Sequence, residues 1–393
     1  MATPIGVGVV GTGFMGTAHA QSFLAVPHIF ETALAPRLVA VADINRAAAD
    51  AAAKRYGFGR ATGDWNDLIA DPAVELVSIT VPNALHADIA IAALKAGKHV
   101  YCEKPLAASA AAAESMAAAA AASPAKTLVG YNYMRSPAIV YARDLIAQGV
   151  IGEPVYWRGV CDEDYMADDS TPFSWRCRRD AAGFGALGDL ASHLVSVARL
   201  LLGPIARVVA DQKTVIAERP APGGGESAEK RSGGVVLDRT RPAQRVENED
   251  TAHALLQFAS GVMGSFVTSR AHWGRKAHLA FEVFGRKGSI LFDHERMNEL
   301  QLFTRDGLDA ATNGFRNILI GPEHASYGRF TPARGHGIGF NDLKIIEIAH
   351  LLQGIAGRET LYPTIQDALR IERILHAVVS SAESGGWKDT NDR

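Results

Sequence analysis

Over the first 130 or so residues, short unbroken apolar runs alternate with longer stretches of helical spacing. Val7 to Val10 is a β-branched run that passes directly into Gly11-Thr12-Gly13-Phe14-Met15-Gly16. Similar runs stand at Leu38 to Ala42, Val74 to Thr80, Val100 to Cys102 and Thr127 to Gly130. Between them, helices are predicted at Phe14 to about Ala25, the NRAAADAAAKRYG stretch, Asp64 to Asp71, Leu85 to Ala96 with Gly97 closing it, and Ala107 to Ala122. VPHIFETALAPR reads as an unusually long connection. Unbroken apolar strands are buried on both faces, and their alternation with helices predicts an α/β fold with a doubly wound parallel sheet.

Beyond residue 130 the pattern changes. After a helix near Ala138 to Gln148, strands are predicted at Pro154 to Val160, Ala206 to Ile216, Thr251 to Phe258, Gly261 to Ala271, Leu279 to Gly285, Gly288 to Asp293 and Glu299 to Phe303. Their glycine-punctuated spacing, about ten residues, indicates a mostly antiparallel sheet. A polar loop, DEDYMADDSTPFSWRCRRDAAGFGALG, leads to a helix at Asp189 to Leu202, and two helices, Asp342 to Gly354 and Thr364 to Ser381, close the chain. Glu218 to Asn248, rich in Gly, Pro and charge, reads as a long hairpin or mobile loop. The expected division is therefore into two domains, 1–130 and 131–393.

The 393 residues are 48% hydrophobic and 21% charged, with a formal charge of −2, and no dense Lys/Arg run argues for nucleic acid or an anionic membrane as partner. The first residues read as a strand rather than a signal peptide, and Ala107 to Ala125 is too weakly apolar to span a bilayer. Cys102, Cys161 and Cys177 are scattered, and no histidine stands in zinc spacing, so neither a disulfide framework nor a metal is expected, and a cytoplasmic location is.

Gly11, Gly13 and Gly16 fit G-x-G-x-x-G at a strand-to-helix turn, where backbone amides and the helix dipole favour a pyrophosphate. Asp43, at the end of the second predicted strand, suits the ribose hydroxyls of NAD and equally suits a helix N-cap. Arg46 nearby would tolerate the 2′-phosphate of NADP, so the preference for NAD is not absolute. Ligands of such sheets sit beyond the carboxyl ends of the strands, which singles out Thr80, Pro82, Asn83, Glu103 and Lys104. Lys104 suits the reacting oxygen of a bound alcohol, or is a solvated lysine at a strand end. Asp189 and His193, spaced i, i+4, share one helical face: the carboxylate can orient an imidazole that takes a hydroxyl proton. The same pair equally fits an N-cap and a packed histidine. Trp175-Arg176, Tyr133 and His272-Trp273 suit a sugar pocket or an aromatic core. No G-x-S-x-G elbow supports a hydrolase serine.

With GTGFMG at the N-terminus, Glu103-Lys104-Pro105, and Gly188-Asp189 followed by His193 in that order, the chain resembles the glucose–fructose oxidoreductase / inositol dehydrogenase / rhizopine-catabolism (Gfo/Idh/MocA) family along nearly its whole length. The SWR…GFGALGDLASH and MNELQLF…GFRNILIGPEH stretches look like its levoglucosan and pyranoside 3-dehydrogenase branch. The resemblance implies NAD-dependent oxidation of a ring secondary alcohol of a neutral sugar, anhydrosugar or polyol. Lys104 would hold the alcohol oxygen, His193 take its proton, and Asp189 orient His193. Cofactor contacts are implied for Gly11, Gly13, Phe14, Met15, Gly16, Asp43, Thr80, Pro82, Asn83, His86, Glu103, Lys104, Trp175 and Arg176. Substrate contacts are implied for Lys104, Tyr133, Arg176, Asp189 and His193. The resemblance also implies an NAD-binding Rossmann domain at 1–130, an α/β domain with an open, mostly antiparallel sheet for substrate binding and oligomerisation at 131–393, a cis Lys-Pro bond, and a homodimer or homotetramer built through the C-terminal sheet. Leu194, Val195 and Ser196 stand where many members carry an acidic residue, a departure from inositol-type recognition. An inositol dehydrogenase, an NAD-dependent glycosidase and a non-enzymatic NAD-sensing regulator are the alternatives.

Overall fold

The computed structural model describes residues 2–222, 241–305 and 309–392. The chain divides into two compact units: residues up to Asn132 with Gly339–Leu369, and Tyr133–Ile338 with the segment from Arg370 onward.

The first unit is built on a six-stranded parallel sheet. Its strands are β1 (Thr3–Val10), β2 (Leu34–Ala42), β3 (Arg60–Thr62), β4 (Leu76–Ile79), β5 (His99–Cys102) and β6 (Thr127–Val129), in the spatial order β3-β2-β1-β4-β5-β6. The order reverses between β1 and β4, which creates the crevice at which such sheets bind ligands. Val7, Val9, Ala40, Val41, Leu76, Val77, Ile79 and Val100 are all buried, as the unbroken apolar runs required.

Two boundaries differ from expectation. The helix after the glycine turn runs from Phe14 to Ile29 and absorbs part of the supposed long connection. Pro27 lies inside it, and burial of Phe23 and Val26 holds that turn despite the missing N–H. β2 begins at Leu34 because its half-exposed first residues pair with Thr3 to Gly6, outside the apolar run. The edge strand Arg60–Thr62 carries no apolar run at all. The late helix Phe340–Ile355 packs on Phe14–Ile29, with the Phe14 and Phe340 rings 6.0 Å apart, and the amide of Val129 donates to the Pro363 carbonyl.

The second unit carries β7 (Pro154–Asp162), β8 (Ile205–Lys213), the short pair β9 (Glu218–Pro220) and β10 (Ala243–Arg245), then β11 (Thr251–Phe258), β12 (Met263–Ser269) and β13 (His278–Gly285). β14 (Gly288–Asp293), β15 (Glu299–Thr304), β16 (Arg316–Leu319) and β17 (Lys388–Asp389) complete it. Nine of these form one sheet in the order β16-β15-β14-β13-β7-β12-β11-β8-β17, antiparallel except between β7 and β12. Trp157, Leu256, Phe266, Phe281 and Phe292 alternate onto the buried face, where helix Ser192–Leu202 packs against β7. Within the expected loop at Glu218 to Asn248, β9 pairs with β10 and Asn248 is buried; residues 223–240 lie outside the described residues.

Candidate functional site

In the first unit the glycine turn is enforced sterically. Gly11 has φ +96°, and a Cβ there would lie 2.7 Å from the Thr80 carbonyl oxygen; one on Gly16 would lie 2.1 Å from that of Gly11. Gly13 is the N-cap of the helix, Met15 is half-buried and Phe14 is exposed. The cradle therefore has the tightness that close backbone approach to a pyrophosphate requires. Thr80 Oγ1 donates to the Val10 carbonyl at 2.9 Å, tying the ends of β4 and β1 together.

Asp43 follows β2. Its Oδ2 accepts from the Thr12 amide (2.9 Å) and Thr12 Oγ1 (2.6 Å), and its Oδ1 accepts from the Asn45 amide (2.9 Å). The N-cap alternative does not hold: Asn45 caps the next helix, accepting from the Ala48 amide. Asp43 is thus a carboxylate fixed beside the glycine turn, in the position suited to ribose hydroxyls.

Pro82 precedes a turn at Asn83–Leu85, and Asn83 is buried. His86 is fully buried, its Nδ1 3.0 Å from the Pro105 carbonyl and its Nε2 2.9 Å from that of Val81. Burial lowers its pKa below the usual histidine value. The imidazole links the loops that follow β4 and β5. Lys104–Pro105 is a cis peptide, as the resemblance implied.

Behind Lys104 lies a buried ionic cluster with no sequence motif to announce it. Glu103 Oε1 is 2.8 Å from His19 Nε2 and 2.6 Å from Lys344 Nζ, and Glu103 Oε2 accepts from the Lys104 amide at 3.2 Å. Lys344 also donates to Glu347 (2.9 Å), Tyr101 OH (3.2 Å) and the Gly130 carbonyl (3.3 Å), and Tyr101 OH donates to Glu347. His19 Nδ1 pairs with Ser78 Oγ at 2.7 Å, and its ring stacks on Tyr101. Burial pulls the Glu103 carboxyl upward, but Lys344 and His19 outweigh it and hold it well below the carboxylate range. Burial likewise opposes the Lys344 charge, and the two carboxylates overcome it and raise its pKa. His19 is pushed down by burial and stays neutral. Cys102 is a buried strand residue whose thiol burial pushes well up.

The remaining candidates belong to the second unit. Asp189 is not a helix N-cap: it sits inside a π-helical turn, Leu187–Ala191, that runs into helix Ser192–Leu202. Such turns recur at functional positions because they re-aim side chains. Asp189 accepts from Tyr165 OH and lies 3.7 Å from Arg176 Nε. Arg176 stacks over Trp175, 4.5 Å from its ring. The buried His193 ring stands 4.4 Å from that of Tyr133, whose ring is also 4.4 Å from His294. Burial lowers His294 to about 4, so it is neutral at ordinary pH. Trp273 is exposed, and His272 Nδ1 lies 3.1 Å from Asp162. Tyr165 and His294 escaped sequence reading because each is an isolated polar aromatic in a polar loop or at a strand end. Among the described residues no group of three or more His, Cys, Asp or Glu could hold a metal ion.

Residues 5–131 match the family description "Oxidoreductase family, NAD-binding Rossmann fold", and residues 139–291 match "GFO/IDH/MocA C-terminal domain". The levoglucosan dehydrogenase of Pseudarthrobacter phenanthrenivorans is 38% identical over 387 residues, 98% of each chain. A solved levoglucosan dehydrogenase in complex with NADH and levoglucosan superposes with a TM-score of 0.91 at 35% identity over the whole of both chains; one with NADH and L-sorbose gives 0.92 at 36%, again over the whole of both. An inositol 2-dehydrogenase of Salmonella typhimurium is 37% identical over 155 residues, 39% of this chain and 44% of that protein.

Proposed function

The chain belongs to the Gfo/Idh/MocA family of NAD-dependent oxidoreductases, and from that premise we propose that it oxidises a ring secondary alcohol of levoglucosan or a closely similar neutral sugar. The observation that carries this reading is the similarity to levoglucosan dehydrogenase over 98% of the chain, with Lys104, Asp189 and His193 all present. The tight glycine cradle and the fixed Asp43 carboxylate fit NAD: Gly11 to Gly16 would hold its pyrophosphate and Asp43 its adenosine ribose. NAD, when bound, supplies the hydride acceptor.

Lys104 holds the alcohol oxygen, His193 accepts the hydroxyl proton as the carbon is oxidised, and Asp189 sets the imidazole's orientation and stabilises its protonated form. Arg176 and Tyr133 contact the sugar. Thr80, Pro82, Asn83, Trp175 and Arg176 complete the cofactor's surroundings; His86 and Glu103, for which the resemblance implied cofactor contacts, are buried with their polar atoms taken up inside the protein and brace the loops behind instead. NAD is preferred over NADP, because a carboxylate at Asp43 repels a 2′-phosphate. The protein works as a soluble cytoplasmic homo-oligomer. Supporting this, the outer face of the second unit's sheet carries Val160, Val267, Ala280 and Leu291, half-buried, beside an Arg158–Glu282 pair at 2.7 Å. Among the described residues, the one helical stretch long and apolar enough to cross a membrane, Arg179–Leu202, is mostly buried.

NADH formation is the test, using purified protein with NAD and a panel of levoglucosan, glucose and myo-inositol. Turnover of levoglucosan that collapses in Lys104→Ala and His193→Ala supports the reading. Faster turnover of myo-inositol would shift the substrate class, and hydrolysis without net NADH would replace a dehydrogenase by a glycosidase. Equal rates in wild type and both variants would remove the assigned chemistry.

A further inference from the structure

The tripeptide Asn248-Glu249-Asp250, immediately before β11, is almost entirely buried although every side chain is polar. Burial of three such groups requires partners for each; those of Asn248 and Glu249 are found on the segments that carry the second unit's candidate groups, and Asp250 is held by Arg270 and the amides of Val215 and Ile216. Glu249 Oε1 accepts from the amides of Gly185 (2.7 Å) and Leu187 (2.9 Å), and the Glu249 carbonyl accepts from the amide of Ala186 (3.1 Å). One residue therefore takes three consecutive N–H groups at the entry to the turn that holds Asp189 and leads to His193. These are donors that a helix start cannot satisfy internally. The fit is close enough to explain Gly185, where a Cβ would lie 1.9 Å from the Glu249 carbonyl oxygen.

The neighbours of Glu249 extend the same clamp to the Arg176 loop. Asn248 Nδ2 donates to the carbonyls of Arg176 (3.0 Å) and Arg178 (3.2 Å). Asp250 pairs with Arg270 at 2.8 Å, and Arg270 Nη1 donates to the Arg176 carbonyl at 3.1 Å. The relative placement of Arg176 and Asp189, 3.7 Å apart, is thereby referred to one rigid strand entry.

We propose that Glu249 is a positioning residue for this enzyme: by accepting the amides of Gly185 and Leu187 it sets where Asp189 and His193 stand, without touching substrate or cofactor. This rests on the reading of Asp189 and His193 as the proton-transfer pair. What Glu249 supplies to Gly185 and Leu187 is a single acceptor oxygen, Oε1, shared by both amides. Glu249→Gln keeps that oxygen; Glu249→Ala removes it.

The test is steady-state kinetics of the full-length protein with NAD and levoglucosan, or whichever sugar of the panel the wild type oxidises, with His193→Ala alongside. Rates are normalised to NADH-binding sites. Glu249→Ala should lose about 10- to 100-fold in kcat, the scale expected when reacting groups shift by about an ångström. Its KM for NAD should stay within about twofold, and Glu249→Gln should stay within about threefold of wild type in kcat. A Glu249→Ala enzyme with wild-type kcat per site, or a Glu249→Gln enzyme as slow as Glu249→Ala, would overturn the proposal. If His193→Ala itself keeps full activity, the assignment of the proton-transfer pair fails instead, and the two failures are distinct. Should Glu249→Ala not fold, amide exchange decides. Gly185 and Leu187 should be protected in wild type and in Glu249→Gln, and exchange at the rate of exposed loop amides would refute the clamp.

Discussion

Lys104 and the Asp189–His193 pair are braced from behind by two opposite electrostatic arrangements. Behind Lys104, Glu103, Lys344 and Glu347 are buried as ions that hold one another, with His19 neutral beside them. Behind Asp189 and His193, the buried carboxyl of Glu249 meets backbone amides, and burial outweighs the lowering by those amides and by Arg270 and leaves its pKa raised. The first brace is strong only while every ion is present, because a buried charge without its partner is far more costly than no pair at all. The second should survive loss of charge so long as an oxygen remains.

The largest separation between the two should come from Lys344→Met. It leaves Glu103 and Glu347 buried without their cation and should destabilise the first unit by about 3–5 kcal/mol in urea unfolding. A loss below about 1 kcal/mol would show that the carboxylates do not depend on it. By contrast, Glu249→Gln should change stability at neutral pH by no more than about 1 kcal/mol, because both amides keep an acceptor.

Acid should divide the units next. Glu103 has a depressed folded pKa, so its contribution is present above its ordinary value of 4.5 and is lost as pH falls through the folded value. His19, also lowered, binds fewer protons folded than unfolded, so stability falls as pH drops below 6.5. Lys344 is raised, so its contribution is complete below 10.5 and lost only above that, as pH rises through the folded value. Glu249 runs the other way: its raised pKa means the folded state binds more protons, and stability falls as pH rises from 4.5 through the folded value. Amide exchange corrected for intrinsic rates should therefore show protection falling from pH 7 to pH 5 around Glu103 and holding or rising around Glu249. Parallel trends in both units would erase the distinction.

Tyr165→Phe should have the smallest effect. It removes one hydrogen bond to Asp189, worth about 1 kcal/mol, and should slow kcat a few-fold with the KM for NAD unchanged. A loss as large as that of Glu249→Ala would move the main support of Asp189 to Tyr165.

Legibility in the sequence followed the same division. The glycine turn, Asp43 and the strand ends could be read because buried parallel strands need unbroken apolar runs, and Gly11 and Gly16 answer a steric demand local in the chain. Lys104, Asp189 and His193 could be picked out by motif. Their braces could not: Lys344 meets Glu103 across 241 residues, and Glu249 meets Gly185 across 64, with no periodicity linking either pair. The helix at Phe340–Ile355 is buried on all sides from Leu343 to Ala349, Lys344 and Glu347 included, and nothing in its sequence announces that it packs in the first unit. Gly188-Asp189 has the composition of a helix cap, and nothing local in the sequence distinguishes a helix start there from the π turn at Leu187–Ala191.

The most direct test of the whole reading is a crystal structure of the ternary complex with NADH and levoglucosan. Lys104 Nζ and a ring nitrogen of His193 should both lie within about 3 Å of the same sugar hydroxyl, whose carbon faces the nicotinamide. A sugar bound with either group turned away from that hydroxyl would contradict it.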